Sequence, residues 1–100
     1  MELVVPGWLA RRTDLRLSDK FVLAYIINRQ ENADVWATEK RDGEVWVRVS
    51  LRRIAKDIGL NFKTVEKSVY RLRDMGLIER SGFRGNLPAL TRFIGKGGDE

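Results

Sequence analysis

Lys63, Lys67 and Arg71 follow one another at four-residue spacing, with Thr64 and Tyr70 between them, in a stretch where Phe62, Val65, Val69 and Leu72 recur every three or four positions. At about 100° per residue the apolar side chains gather on one side of a helix, and Lys63, Thr64, Lys67, Tyr70 and Arg71 occupy the other. That outward face carries positive charge and hydrogen-bond donors. Its chemistry is recognition of anions without bond-making. The absence of cysteine and histidine from the 100 residues removes disulfides, thiolate nucleophiles, imidazole bases and the usual zinc sites. Asp57, Glu66, Asp74 and Glu79 do not form an obvious metal pair, and Glu66 and Asp74 neighbour basic residues as helix-surface pairs do. No nucleophile is paired with a base, so the chain is expected to be no enzyme and to need no metal or cofactor.

The distribution of charge agrees with that reading. The formal net charge is +5, yet Met1 to Val49 hold eight basic and eight acidic residues, whereas Ser50 to Lys96 hold eleven basic and four acidic ones. The excess therefore belongs to one segment, which attracts polyanions if it is folded into one surface. A charge-rich solvated face is the alternative that geometry has to decide. Apolar residues at 43% and charged residues at 33% exclude compositional disorder and membrane-spanning runs. Met1 to Ala10 lack the apolar core of a signal peptide, so the expectation is a soluble, cytoplasmic protein without a membrane partner. A chain of this length buries roughly 65% of its unfolded surface in a single core. Residues 1–94 are read as one domain and 95–100 as a flexible tail.

The elements that must position the cationic face can be followed along the chain. Leu3 to Leu17 form an irregular lead-in that packs Trp8 on the core. Ser18 is expected to cap a helix over Asp19 to Glu31, with Asp19 at its positive end and Val22, Leu23, Ile26 and Ile27 at helical spacing. Val35 to Lys40 and Glu44 to Val49 flank Arg41-Asp42-Gly43 and read as a hairpin, with Val45, Val47 and Val49 on one side and Trp46 and Arg48 on the other. Trp36 and Trp46 can face each other, cover the core or join two copies of the chain into a homodimer; core packing is the expectation. Ser50 caps a short amphipathic helix of Leu51, Ile54, Ala55 and Ile58 that ends at Gly59, and Asn61 caps the next helix almost at once. After Gly76, Leu77 to Arg80 and Leu87 to Ile94 read as two strands joined by a basic loop containing Gly82 and Gly85, with Pro88 suited to an edge. Gly95-Lys96-Gly97-Gly98 lacks the strand, spacing and helix of a phosphate loop.

The run from Val49 to Arg80 resembles the winged helix-turn-helix family of DNA-binding domains. The pieces that carry the resemblance are Ile54-Ala55 six residues before Leu60, Thr64-Val65 opening the next helix, and Leu72 leading into Met75-Gly76-Leu77-Ile78. Trp8-Leu9 before Leu17-Ser18-Asp19-Lys20 is similar to the N-terminal winged-helix domains of plasmid and phage replication initiators. The segment from Trp36 to Trp46 departs from the family by being longer than its usual first strand. The implied fold is α+β: a three-helix core, a C-terminal β-hairpin wing and an additional hairpin before the second helix. The implied partner is double-stranded DNA, in replication initiation or transcriptional regulation, with the helix 61–75 in the major groove. A helix about 10–12 Å across fits that groove, where lysine can donate to guanine and a threonine methyl can touch thymine. Lys63, Thr64 and Lys67 are then base-reading residues, and Tyr70 and Arg71 meet phosphate. Arg52, Arg53 and Lys56 on the preceding helix lie across the backbone, and Arg84 in the wing reaches the backbone or the minor groove. About six phosphate contacts give a salt slope of roughly −5. The competing reading is a winged-helix protein-protein adaptor without DNA binding, whose exposed helix would present apolar or acidic residues instead.

Overall fold

The computed structural model describes residues 3–32, 38–41, 43–81 and 89–94. A short helix, α1 (Gly7–Ala10), precedes a long one, α2 (Leu17–Glu31), and strands β1 (Thr38–Arg41) and β2 (Glu44–Arg48) follow. Helices α3 (Leu51–Ile58) and α4 (Phe62–Asp74) come next, then β3 (Ile78–Arg80) and β4 (Leu90–Phe93). The lead-in expected to be irregular thus contains one helical turn, and the described helices number four. The four strands form one antiparallel sheet in the order β1-β2-β4-β3. The two hairpins read separately from sequence are therefore joined, β2 pairing with β4 so that Val47 lies opposite Thr91 and Arg48 opposite Leu90.

Helix α2 is the centre of the core. Every residue from Val22 to Arg29 is buried, which an apolar run uninterrupted by charge for six positions makes favourable. Its polar members are matched one by one. Asn28 exchanges two hydrogen bonds with the backbone of Val4, at 2.8 and 2.9 Å, and so pins the lead-in. Arg29 donates to Asp57 of α3 at 3.0 Å. Trp8 is half-buried against the core and stacks on Phe93, with ring centroids 5.7 Å apart. Val47 in β2 and Val49 just beyond its end are buried as the period-two pattern requires. Trp46 points to the opposite face of the sheet, half-buried, with the Arg92 guanidinium 5.4 Å from its ring. Trp36 lies outside the described residues.

The start of α2 differs from the expectation. Ser18 is not the cap: the helix begins at Leu17, and the Asp19 carboxylate accepts from the backbone N–H of Arg16. Ser18 instead hydrogen-bonds through its hydroxyl to Ser68 of α4. Asp19, 2% exposed, also accepts from Arg71 of α4, whose Nη2 lies 2.7 Å away. Burial pushes the Asp19 carboxyl up, but hydrogen bonds from Arg71, Ser68 and the Arg16 backbone outweigh it and hold the group below the usual aspartate range. A short polar stretch at one end of α2 thereby locks it to α4.

The caps of α3 and α4 follow the sequence. Ser50 Oγ accepts from the Arg53 N–H at 3.1 Å, and Asn61 Oδ1 accepts from the Lys63 N–H at 2.8 Å. Between them Gly59 has φ 72°, and the Leu60 N–H donates back to the Ala55 carbonyl at 3.0 Å. This left-handed closure lets a second helix start after only a few residues.

Two substitutions test these joints. Gly59→Ala meets no neighbouring atom within 4 Å, so its cost is conformational, about 1–2 kcal/mol, read as a lower denaturation midpoint with an unchanged m-value. Asp19→Asn is expected to cost about 2 kcal/mol at neutral pH, the value of charge-assisted hydrogen bonds. Because the folded carboxyl titrates below its unfolded counterpart, its stabilisation is complete above about pH 4 and is lost as pH falls through the folded pKa. Thermal melts should therefore show a shallower loss of stability below about pH 4 in Asp19→Asn than in the parent.

Candidate nucleic-acid interface

One side of α4 is closed by the core, where Val65, Ser68, Val69 and Leu72 are buried. Opposite them Lys63 and Lys67 are exposed, and Tyr70 is 44% exposed. Thr64 lies at the flank of this stripe, half-buried. The Lys63 ammonium is 3.7 Å from Glu66 Oε1, an exposed pairing of small energetic weight that leaves the lysine available. Phe62, expected on the inner side, is only half-buried and lies beneath the Arg52 guanidinium, 4.6 Å from its ring centroid. That contact sets a cation of α3 beside the first turn of α4.

Arg71 is the residue whose setting departs most from the outward-face expectation. Its guanidinium makes three contacts to Asp19, two from Nε at 3.2 Å and one from Nη2 at 2.7 Å. Such a fork-shaped pairing with a buried carboxylate fixes both partners. Arg71 thus serves the α2–α4 junction first. Arg73, not singled out from sequence, is exposed at 5.2 Å from the Tyr70 ring and 4.0 Å from Asp74.

On α3, Arg52, Arg53 and Lys56 are all exposed. Arg53 is tethered by Asp57 of the next turn, its Nε 3.0 Å from Oδ2. Asp57 is a junction as well, accepting from the Tyr25 hydroxyl and from Arg29, both on α2. Burial raises the Asp57 carboxyl, but the bonds from Tyr25 and Arg53 prevail and hold it below the ordinary range. The Tyr25 hydroxyl is driven up by burial and by Asp57. Asp19 and Asp57 therefore connect α4 and α3 separately to the same buried helix, which sets the angle between the two exposed faces.

The outer face of the sheet differs in electrostatics. Arg41 and Arg48 both pair with Glu39, and Arg92 pairs with Glu44 at 2.9 Å and Glu79 at 2.6 Å. Its arginines are internally compensated. Among the described residues, Arg52 and Lys56 on α3 and Lys67 on α4 are exposed cations outside the ion pairs of the fold. Arg84, Gly82, Gly85 and Pro88 of the loop between β3 and β4, and the tail 95–100, lie outside the described residues.

Among the described residues no helix is long and apolar enough to cross a membrane. No family model matches this chain, and no curated protein matches its sequence. Two solved structures share its fold. One is described as the "N-Terminal domain of DNA binding protein" and the other as the "Structure of Rep-DNA complex". Each superposes with a TM-score of 0.71 at 15% sequence identity, over 95% of this chain and 75% of the other. At that identity the likeness is one of architecture, an α+β arrangement of four helices and a four-stranded antiparallel sheet.

Proposed function

We propose that this chain is a winged helix-turn-helix domain that binds double-stranded DNA, acts by binding without catalysis, and serves replication initiation. The observation that carries the reading is the exposed stripe Lys63–Lys67–Tyr70 on α4, adjoined by Arg52 and Lys56 on α3 and backed by a buried face. A protein-docking helix would expose apolar or acidic side chains there. Helix α4 enters the major groove with Lys63, Thr64 and Lys67 toward the base edges, and Arg52, Arg53 and Lys56 lie along the phosphates. The hairpin of β3 and β4 is the wing. Arg71, held by Asp19, positions α4 in this reading and adds little to the salt dependence. The replication role is supported by a shared architecture with a structure described as a Rep-DNA complex; transcriptional control would use the same surface.

The test is selection of preferred sites from a random duplex pool, followed by fluorescence-anisotropy titrations over a salt series. About five neutralised phosphates give a slope of log affinity against log salt of roughly −4.5, at about −0.9 per contact. Lys67→Ala should flatten the preference among selected sequences. Lys56→Ala should weaken all duplexes alike and reduce the slope by about one. Failure of the parent chain to bind any duplex at low salt would overturn the reading.

A further inference from the structure

A recess of about 350 Å³ opens between the start of α3, the exposed side of α4 and the ends of β3 and β4, walled by Leu51, Arg52, Phe62, Glu66, Tyr70 and Arg80. Arg80 is the unusual member. The cross-strand row Val47, Thr91, Arg80 lies on the core side of the sheet, since Val47 is 0% and Thr91 3% exposed. Arg80 occupies the end of that row on the edge strand, and its Nε is buried without a hydrogen-bond partner among the described residues. Arg29 and Arg92 share that lack at Nε, but each has carboxylates on its terminal nitrogens. No carboxylate among the described residues pairs with Arg80.

Burial lowers the Arg80 pKa, with Arg73 adding to the effect against Tyr70. Arginine does not give up its proton at neutral pH even so. Arg80 is half-buried, its Nε is closed off from water without a partner, and no carboxylate among the described residues offsets its charge, an arrangement that an anionic ligand in the recess would complete. The one carboxylate on the recess wall, Glu66, has Lys63 beside it. Tyr70 and Arg52 belong both to the recess and to the α3–α4 surface, so an anion seated there continues the line of charge along α4.

We propose that this recess is a phosphate site, in which Arg80 and Arg52 together hold one backbone phosphodiester of the duplex. The site rests on the DNA-binding reading and adds to it a residue outside the exposed helix faces. The phosphate supplies the negative charge that Arg80 lacks, in a charge-assisted contact flanked by Phe62 and Tyr70.

The experiment compares the parent chain with Arg80→Met and Arg80→Lys. Arg80→Met keeps the length and apolar stem but removes the charge. Its thermal midpoint should equal or exceed that of the parent, its duplex affinity at low salt should fall about tenfold, and its salt slope should flatten by about one. Arg80→Lys should restore the slope. Scanning the selected duplex with single neutral methylphosphonates should reveal one position that weakens the parent but not Arg80→Met. Parent-like affinity and slope in Arg80→Met, with the parent binding duplex normally, would overturn the phosphate site and leave the DNA-binding reading standing. A lowered midpoint with an unchanged slope would assign Arg80 to the fold and overturn the site equally. Inorganic phosphate alone, raising the midpoint of the parent but not of Arg80→Met while the duplex slope stays unchanged, would identify a small-anion site and exclude the backbone. A parent that binds no duplex at all would remove both readings together.

Discussion

A helix buried along most of its length must find partners for the polar side chains it carries, because an unmatched group in the interior costs about 1–3 kcal/mol. Helix α2 meets that demand at three places. Asp19 reaches Arg71 on α4, Arg29 and Tyr25 reach Asp57 on α3, and Asn28 reaches the backbone of Val4. Each match recruits a different part of the chain. Hydrophobic burial brings the elements together without direction; these contacts decide which residue faces which. The relation between α3 and α4 follows from α2 as much as from the short turn joining them.

The same economy of partners sorts the arginines. Arg29, Arg41, Arg48, Arg71 and Arg92 are engaged by carboxylates within the fold. Lysines 56, 63 and 67 and Arg52 stand on the exposed side of α3 and α4. Within the second half, Arg71 and Arg92 are thus taken up by the fold, and the cations left exposed among the described residues stand largely on α3 and α4. A chain with as many cations spread evenly would attract polyanions but could not orient one.

Features governed by neighbours in sequence were legible from the residues. Ser50, Gly59 and Asn61 perform the capping and turning expected of their types, since a cap needs only the next few backbone groups. The buried side of α4 and the inward valines of β2 follow equally from periodicity. Contacts between distant segments were not legible. Arg71 lies about 180° from Phe62 around the wheel, which placed it outward, but Asp19 stands 52 positions earlier and no local pattern announces the pairing. The reading of Ser18 as cap failed because the helix starts earlier, at Leu17 with Arg16 as its cap residue, and Asp19 in the first turn accepts from the Arg16 N–H. Arg80, which the sequence sets beside the wing, also carries a periodic signal. Counting by twos from buried Ile78 places Arg80 on the inner side of its strand, where a cation is out of place. The union of the two hairpins into one sheet depends on long-range pairing, which turn residues do not encode.

That union also changes what kind of object the helix pair is. Arg48 and Leu90 are direct partners across β2 and β4, and both α3 and α4 lie in the chain between them. The two helices are therefore the contents of a loop whose neck is fastened by backbone hydrogen bonds. The chain enters this segment from β2 and returns to the same seam at β4, so the sheet is both its doorway and its hinge-plate.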